Sequence, residues 1–298
     1  MGSRILLSLL RFSSKIPLPM ARALGRLVGK LLYQIPNKQR HIHQVNIDIC
    51  FPDLSDRQRD FLLRQSLIEN LTTMMELPGV WLGNPSDWVQ MTEPGEGFAE
   101  LKQAMAEGNG VILAGPHQGN WEVAFIYLSA LFPTTALYRP PRKEALEEPI
   151  YQGRRKGGGD LAPATVQGVK KLITALKSGN ALFILTDQVP KAAGKQGSVF
   201  APFFGREAPT MVLVNSLARK TGAPVFFFYA ERTRAGGYRL NCYRAPEGID
   251  SADTAEAAAS INLGLEECIR QKPEQYLWGY KKFEKSPDGG RSPYSRSK

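Results

Sequence analysis

The chain has 298 residues, of which 43% are hydrophobic and 22% charged, and this composition excludes an intrinsically disordered protein. Its three cysteines lie far apart in the sequence, so they indicate neither a disulfide framework nor a paired zinc site and favour a reducing, cytosolic compartment. The net charge of +10 is concentrated at the two ends, since residues 1–40 carry eight basic side chains and no acid. The central part is close to neutral, which argues against a nucleic-acid-binding surface.

The first 33 residues predict two short helices separated by Pro17 and Pro19, because proline cannot continue a helical hydrogen-bond ladder. On a helical wheel the leucines fall on one side and six basic residues on the other: Arg4, Arg11, Lys15, Arg22, Arg26 and Lys30. This pattern is typical of helices that lie in a membrane interface with basic residues toward anionic head groups. The uncharged stretches are too short for a spanning helix, and the alternative is an amphipathic pair packed on the protein's own core.

The rest of the chain alternates between predicted helices and short apolar strands. Ser55 and Gln58 form a capping-box pattern before a helix over 56–77, which Pro78 and Gly79 are expected to end. Further helices are predicted over 98–107, 120–131, 166–180, 210–222 and 254–271, and strands over 110–115, 134–139, 181–187, 223–232, 237–246 and 275–283. This alternation predicts an α/β fold with a layered, mixed and mainly parallel sheet flanked by helices. We expect one domain over 37–298 behind a membrane-associating segment at 1–36.

Polar residues at the ends of the predicted strands are the first candidates for a site, because ligands bind at the carboxyl edge of such sheets. His117, Arg139 and Asp187 take these positions. His117 lies in a turn before a helix that carries Glu122 in its first turn, and Gly119 leaves space for a substrate. A histidine beside a carboxylate is suited to act as a general base. These residues therefore predict a catalytic site at the sheet edge.

Other interpretations of His117 stay open at this point. It can be a turn residue, with Glu122 only complementing the helix dipole. Metal binding is not favoured, because no H-E-x-x-H pattern occurs and His41 and His43 fall in a basic, helix-like stretch where solvated side chains are expected. No G-x-S-x-G elbow is present either, so a catalytic His117 would act directly on a substrate hydroxyl, as in acyl transfer without a covalent intermediate.

The hexapeptide HQGNWE at 117–122 resembles the H-x-x-x-x-[DE] motif of the lysophospholipid acyltransferase superfamily. Nearly the whole chain resembles one branch, the late acyltransferases of bacterial lipid A biosynthesis, through ICFPDLSD, ALYRP, GRRKGG, ALKSGNALFILTDQ, VFAPFFGREAPT and PEQYLWGYKKF. The resemblance implies transfer of a fatty acyl chain from acyl carrier protein to a hydroxyl of a lipid A precursor, with no cofactor. It also implies the cytoplasmic face of the bacterial inner membrane, with residues 1–33 as the anchor on an anionic surface.

The resemblance also implies roles for individual residues. His117 matches the general base and Glu122 its orienting partner. Substrate-binding positions are implied at Arg139, Arg154 or Arg155, Asp187, Gln188, Phe204, Gly205 and Thr210. The arginines suit a phosphate group of either substrate, since guanidinium binds phosphate in a bidentate manner. Asp187 can alternatively position an arginine, and the Phe204 segment can alternatively be ordinary core.

The chain departs from the pattern of the branch at its end. The usual histidine and arginines after the tryptophan are replaced by Tyr280, Lys281 and Lys282. This leaves the acceptor less defined than the reaction. The alternatives are the same chemistry on another glycolipid or a lysophospholipid, thioester hydrolysis, and a basic membrane- or nucleic-acid-binding protein without catalysis.

Overall fold

The computed structural model describes residues 2–141, 143–188 and 197–295. Over these ranges the chain forms a central sheet with helices on both faces, together with a separate β-hairpin. The helices are α1 (Gly2–Ser13), α2 (Leu18–Gln34), α3 (Lys38–Cys50), α4 (Asp56–Leu82), α5 (Pro85–Gln90), α6 (Phe98–Ala106), α7 (Trp121–Leu131), α8 (Glu147–Lys156), α9 (Val166–Lys177), α10 (Leu213–Thr221) and α11 (Thr254–Gln271). The strands are β1 (Thr92–Pro94), β2 (Val111–Gly115), β3 (Thr134–Tyr138), β4 (Asp160–Pro163), β5 (Ala181–Leu185), β6 (Ser198–Phe203), β7 (Arg206–Met211), β8 (Val225–Arg232) and β9 (Tyr238–Arg244).

The central sheet has the order β1-β9-β8-β2-β5-β3-β4 among the described residues. Its neighbouring strands are parallel except for β8 and β9, which confirms the predicted mixed, mainly parallel α/β fold. Strand β2 is buried throughout and supplies alternate residues to two apolar clusters, Ile112 and Ala114 to one and Val111 and Leu113 to the other. A strand covered on both faces has no polar face, which is why the 110–115 segment is apolar throughout.

The carboxyl ends of β2, β5 and β3 meet at one edge of the sheet. Gly115 of β2 pairs in parallel register with Leu185 of β5, and β3 lies on the other side of β5. Residues that follow these strands by the same number of positions therefore come together in space. His117 and Asp187 each lie two residues beyond the Gly115–Leu185 pair, so the register brings them side by side.

Helix α2 packs along α4 through two glycines. A methyl group built on Gly25 would come within 2.5 Å of the Cα of Thr72, and one on Gly29 within 2.5 Å of the Cα of Ile68. The two backbones therefore approach as closely as helices with small residues at their interface permit. The outer side of α1 and α2, together with Ile35 just after α2, presents exposed apolar side chains: Ile5, Leu9, Phe12, Met20, Leu24, Leu27, Leu31 and Ile35. The division of the chain at residue 36 stays a prediction.

Two polar side chains predicted at the surface are buried instead. Arg22, assigned to the basic side of α2, is only 8% exposed, because it points toward α4 and donates to Oε1 of Glu76 at 2.6 Å. His43 is 3% exposed, and its Nδ1 lies 3.0 Å from the Ser66 hydroxyl oxygen. Burial lowers the pKa of His43 to about 3. Both residues were predicted to be exposed because the surrounding sequence is basic, but both side chains face α4.

Several predicted boundaries are confirmed and others are wrong. Ser55 and Gln58 form the expected capping box of α4, but the helix includes Pro78 and continues to Leu82, because its last turn packs buried Val80 into the core. Residues 206–211 form β7 and delay the start of α10 to Leu213. The predicted last strand is wrong: Gln275 ends a short 3-10 helix, residues 276–283 form turns and irregular structure that bury aromatic side chains, and Tyr276 makes only an isolated bridge to Gln118.

Candidate active site

His117 is held at the end of β2 by Asp187, which follows β5. The ring Nδ1 lies 2.6 Å from Oδ1 of Asp187, and the backbone N–H of His117 donates to Oδ2 at 2.9 Å. Asp187 is fully buried. Burial disfavours its charged form, but the His117 imidazole and both hydrogen bonds outweigh burial and hold the pKa of Asp187 below its usual value, with a further contribution from the charge of Lys282. An ionised Asp187 directs the Nδ1 proton to itself and leaves Nε2 as the basic atom.

The Nε2 side of His117 faces Gln188 and two aromatic rings. The amide nitrogen of Gln188 lies 3.2 Å from Nε2 and donates to the Tyr280 hydroxyl oxygen at 2.6 Å. Trp121 and Tyr280 pack edge-on against the imidazole, with ring centroids 4.9 Å and 5.3 Å away. The rings confine the imidazole to one orientation. Only Gln188 among these neighbours was singled out from the sequence as a site residue.

The hydrogen bonds of Glu122 go to Arg154 and not to His117, which corrects the predicted pairing of Glu122 with His117. Both carboxylate oxygens of Glu122 accept from Arg154, Oε2 from Nε at 2.9 Å and Oε1 from an Nη at 2.6 Å. Burial opposes ionisation of Glu122, but the Arg154 charge and its hydrogen bonds outweigh burial and lower the pKa of Glu122, with a smaller contribution from the nearby His117. The physical reason is the position of α8, which brings Arg154 over the start of α7. Asp187 therefore takes the position that the spacing of the hexapeptide suggested for Glu122.

These groups line a cavity of about 290 Å³ at the sheet edge. Its wall is largely apolar, formed by Trp121, Phe125, Ala136, Leu137, Ala164, Phe183, Leu185 and Met211. Its polar groups come from five of the residues predicted from the sequence: His117, Glu122, Arg139, Arg154 and Gln188. The exposed Arg139 follows β3 as predicted. A mainly apolar cavity with a few convergent polar groups is typical of a site for a largely apolar substrate.

The remaining predicted residues lie elsewhere. Arg155 is exposed, with its guanidinium 5.9 Å from the centre of the Tyr151 ring. Phe204 and Gly205 form the turn of the β6–β7 hairpin, and Phe204 has a positive φ of 49° while its N–H donates to Glu266. The Thr210 hydroxyl is 3.1 Å from Oδ1 of Asn262. None of these four residues lines the cavity, so their positions fit the core and surface alternatives better than substrate contact.

The turn that carries His117 is fixed by its backbone. Each of its N–H groups donates to an acceptor of the protein: His117 to Asp187, Gln118 to Pro116, Gly119 to Gln275 and Asn120 to Ala230. Gly119 has a φ of +60°, and a methyl group there would come within 1.8 Å of the Ala230 carbonyl oxygen. Glycine is therefore required at this position. The role suggested from the sequence, space for a substrate, is replaced by close backbone contact.

A buried ionic cluster lies behind the turn and was missed from the sequence. The Glu76 carboxylate accepts from Arg22 at 2.6 Å, from Arg232 at 2.7 Å and 2.8 Å, and from the Asn120 amide at 3.0 Å. Asn120 also caps α7 through the N–H of Val123. Burial opposes the charge of Glu76, but the two arginines outweigh it and lower its pKa. The cluster connects α2, α4 and β8 to Asn120, the residue that caps α7.

The described residues offer neither a cluster of metal ligands nor a helix that could span a membrane. No group of three or more His, Cys, Asp or Glu side chains is arranged to hold a metal ion in the described part of the chain. None of the helices within the described ranges has the length and apolar character needed to cross a membrane.

Comparison with known proteins identifies the family. The sequence profile described as bacterial lipid A biosynthesis acyltransferase matches residues 4–285. The chain belongs to the bacterial lipid A biosynthesis acyltransferase family. This acyltransferase is 28% identical over 282 residues to the lipid A biosynthesis palmitoleoyltransferase of Escherichia coli (strain K12), covering 94% of this chain and 90% of the relative. It is 28% identical over 287 residues to the lipid A biosynthesis lauroyltransferase of the same strain, with the same coverage.

A third relative extends the comparison to another organism. The acyltransferase is 27% identical over 262 residues to a lipid A biosynthesis acyltransferase of Haemophilus influenzae, covering 86% of this chain and 80% of the relative. The family assignment confirms the resemblance noted from the hexapeptide and its neighbours. It also makes the cavity beside His117 the natural candidate for the acyl-transfer site of this acyltransferase.

Proposed function

We propose that this acyltransferase moves a fatty acyl chain from an acyl carrier protein thioester to a hydroxyl of a lipid A precursor. The observation that carries the proposal is the His117–Asp187 pair at the rim of an apolar cavity that also contains Arg139 and Arg154. The base suits the acceptor hydroxyl, the apolar wall suits the acyl chain, and the guanidinium groups suit a phosphate of either substrate. The names of the relatives support a lipid A acceptor.

In the proposed reaction His117 acts as the general base. The acceptor hydroxyl gives its proton to Nε2, and its oxygen attacks the carbonyl carbon of the thioester. The tetrahedral intermediate collapses with cleavage of the C–S bond, and the sulfur leaves with the proton held on Nε2. Asp187 stabilises the imidazolium between these steps, because its charged carboxylate accepts the Nδ1 hydrogen bond. No acyl-enzyme forms.

The guanidinium groups of Arg154 and Arg139 bind phosphate in this proposal. Glu122 holds Arg154 by two hydrogen bonds, so that one cation stands in the cavity in a fixed geometry. Arg139 is more exposed and stands at the outer part of the lining. Guanidinium is suited to bidentate phosphate binding, and both the donor's phosphopantetheine and a lipid A precursor carry phosphate.

The N-terminal helices bring the cavity to the membrane in this proposal. The exposed apolar side chains of α1 and α2 lie beside exposed basic ones at Arg4, Arg11, Lys15, Arg26 and Lys30. Such a surface suits the interface of an anionic membrane, where apolar residues enter the acyl boundary and basic residues meet head groups. We place the protein at the cytoplasmic face of the bacterial inner membrane, where acyl carrier protein has access.

The proposal is tested by an acyl-transfer assay with the purified 298-residue chain. The donor is an acyl carrier protein thioester with a labelled acyl chain, and the acceptors are a lipid A precursor, another glycolipid, a lysophospholipid and none. We expect ester formation with the lipid A precursor, its loss in His117→Ala, and its retention in His41→Ala, a matched change outside the cavity. Wild-type release of free fatty acid with every acceptor would make the protein a thioesterase, and full activity of His117→Ala would contradict the mechanism.

A further inference from the structure

Gln188 and Tyr280 form a hydrogen-bonded pair beside the basic atom of the site. The Gln188 amide nitrogen lies 3.2 Å from Nε2 of His117 and donates to the Tyr280 oxygen at 2.6 Å. Since the Nδ1–H of the neutral imidazole donates a hydrogen bond to Asp187, Nε2 carries a lone pair, and the group facing it must be the amide NH₂ rather than the amide oxygen. A donor therefore stands next to the place where the acceptor hydroxyl and the thioester react.

Acyl transfer needs such a donor, because the thioester carbonyl oxygen becomes negatively charged when the hydroxyl adds. Backbone N–H groups often stabilise this charge, but those of residues 117–120 all donate to acceptors within the protein. Arg154 is held by Glu122 through two hydrogen bonds. Among the described residues, the amide of Gln188 is a neutral donor within hydrogen-bond distance of the reacting nitrogen.

We propose that Gln188 is a catalytic residue that donates an N–H to the oxyanion, and that Tyr280 is a positioning residue that fixes the amide. The inference rests on the proposed acyl transfer. The acceptor hydroxyl replaces the amide as the partner of Nε2 and gives its proton there. Its oxygen forms the C–O bond while the carbonyl π electrons move onto the oxygen that Gln188 binds.

The second half of the step restores both residues. The electron pair returns from the oxyanion to the carbonyl bond, the C–S bond breaks, and the thiolate takes the proton from Nε2. Gln188 and Tyr280 neither gain nor lose a proton. Tyr280 stands in the segment after Trp278 where this chain departs from the usual histidine, so the departure supplies the oxygen that accepts from Gln188.

Kinetics of four variants at Gln188 and Tyr280 and of one control variant test the assignment. We expect Gln188→Ala and the isosteric Gln188→Glu, which both lack the N–H donors, to lower kcat by about 10²- to 10³-fold. Tyr280→Phe removes one hydrogen bond and should lower kcat by about tenfold, with KM for the thioester nearly unchanged. Tyr280→His restores a polar ring and should recover most of that loss. Tyr243→Phe, which removes a hydroxyl bonded to Glu96 outside the cavity, should leave kcat unchanged.

Binding of two donor analogues separates this role from a structural one. One analogue carries a fluorinated ketone in place of the thioester and binds as its hydrate, the tetrahedral species formed when water adds to the activated carbonyl, and the other carries an unreactive amide. Affinity for the ketone should fall across the variants in proportion to kcat/KM, whereas affinity for the amide should stay constant, because only the hydrate has a tetrahedral carbon with an oxygen in the position of the oxyanion. Equal activity of wild type and Gln188→Ala would overturn the proposal. A wild type inert toward every acceptor would instead contradict the proposed function.

Discussion

The Asp187 carboxylate contacts His117 at two points, since Oδ1 lies 2.6 Å from ring Nδ1 and Oδ2 accepts the backbone N–H at 2.9 Å. One carboxylate thus fixes both the tautomer of the imidazole and the turn that carries it. The contact follows from strand register, because the two residues extend neighbouring parallel strands by equal lengths. The proposed general base and its proposed orienting partner therefore come from the ends of β2 and β5.

Asp187→Asn should lower kcat by about 10³- to 10⁴-fold. The amide NH₂ would take the place of Oδ1 and donate to Nδ1, which favours the tautomer with the proton on Nε2, and this tautomer cannot act as the base. The thioester KM should change little, and acyl-transfer kinetics measure both quantities. Asp160→Asn, which breaks an exposed pair with Lys171, is the matched control and should keep wild-type kcat. An Asp187→Asn variant with more than a tenth of wild-type kcat would contradict the orienting role.

Glu122→Gln should act mainly on substrate binding and stability, because Glu122 holds Arg154 rather than His117. Leaving the largely buried Arg154 charge without its partner should lower the free energy of unfolding by about 3 kcal/mol and raise the KM of the phosphate-bearing substrate. Chemical denaturation and steady-state kinetics test these effects. In the double variant Glu122→Gln/Arg154→Gln the stability losses should be less than additive. A kcat loss equal to that of Asp187→Asn, at unchanged KM, would return the orienting role to Glu122.

Gly29→Val should separate α2 from α4, because even a methyl group at this position comes within 2.5 Å of the Ile68 Cα. Overpacking of this kind costs about 1–3 kcal/mol or more, since backbone atoms cannot yield as a flexible side chain does. Thermal unfolding and limited proteolysis between α2 and α3 report the change. Ala23→Val places the same side chain on the exposed side of α2 and should have little effect. Equal melting temperatures for the two variants would refute the close packing.

Replacing Leu24, Leu27 and Leu31 by Gln should weaken binding to anionic vesicles by about 100-fold, at roughly 1 kcal/mol for each half-exposed leucine. Co-sedimentation measures this loss, and circular dichroism verifies that the helices persist. Leu263→Gln removes an exposed leucine from α11 and serves as the control. Unchanged vesicle binding by the triple variant would refute α2 as the membrane-contacting surface.

His43 should make the protein less stable as the pH falls. Its pKa is about 3 in the folded chain and about 6.5 when unfolded, so between these values only the unfolded chain binds the proton. The free energy of unfolding then falls with decreasing pH, by up to about 1.4 kcal/mol per unit from this residue. His43→Gln should give a shallower decline between pH 6.5 and 3 in denaturation experiments. His41→Gln is the matched loss of a histidine, and identical slopes for wild type and His43→Gln would contradict the prediction.

Most helices and strands of this fold were predicted from local sequence patterns, because their formation depends mainly on residues that are neighbours in the sequence. The Ser55–Gln58 capping box and the apolar 110–115 strand are examples. Pro78 shows where local patterns fail to predict the fold. From the sequence alone, proline predicts the end of a helix, because it removes one backbone hydrogen bond. Helix α4 nevertheless continues to Leu82, because its last turn packs against residues that are distant in the sequence. The aromatic run at 275–283 likewise has the composition of a strand but is used to fill the core.

The candidate site residues that follow strands were predicted from the sequence. The contacts between residues on elements that are distant in the sequence were not. His117, Arg139 and Asp187 were found from their positions after strands. The partner of His117 was not, because spacing within a hexapeptide favours Glu122, while the contact with Asp187 requires β2 and β5 to be neighbours. Knowledge of that adjacency would have identified the pair. The Arg22–Glu76 contact joins residues 54 positions apart and has no local pattern.

Glu76 links the N-terminal helices to the candidate active site, and this link matters for inhibitor screening. Shortening the chain to remove the apolar surface of α1 and α2 is an obvious route to a more soluble protein for ligand screening. It would also remove Arg22, one of the two arginines on the carboxylate that holds Asn120, and uncover the face of α4 against which Gly25 and Gly29 pack. In such a truncated enzyme the contacts that hold the start of α7 beside the cavity would be altered, and compounds would be selected against that altered site. Screening should therefore use the chain with α1 and α2 present, in detergent or lipid.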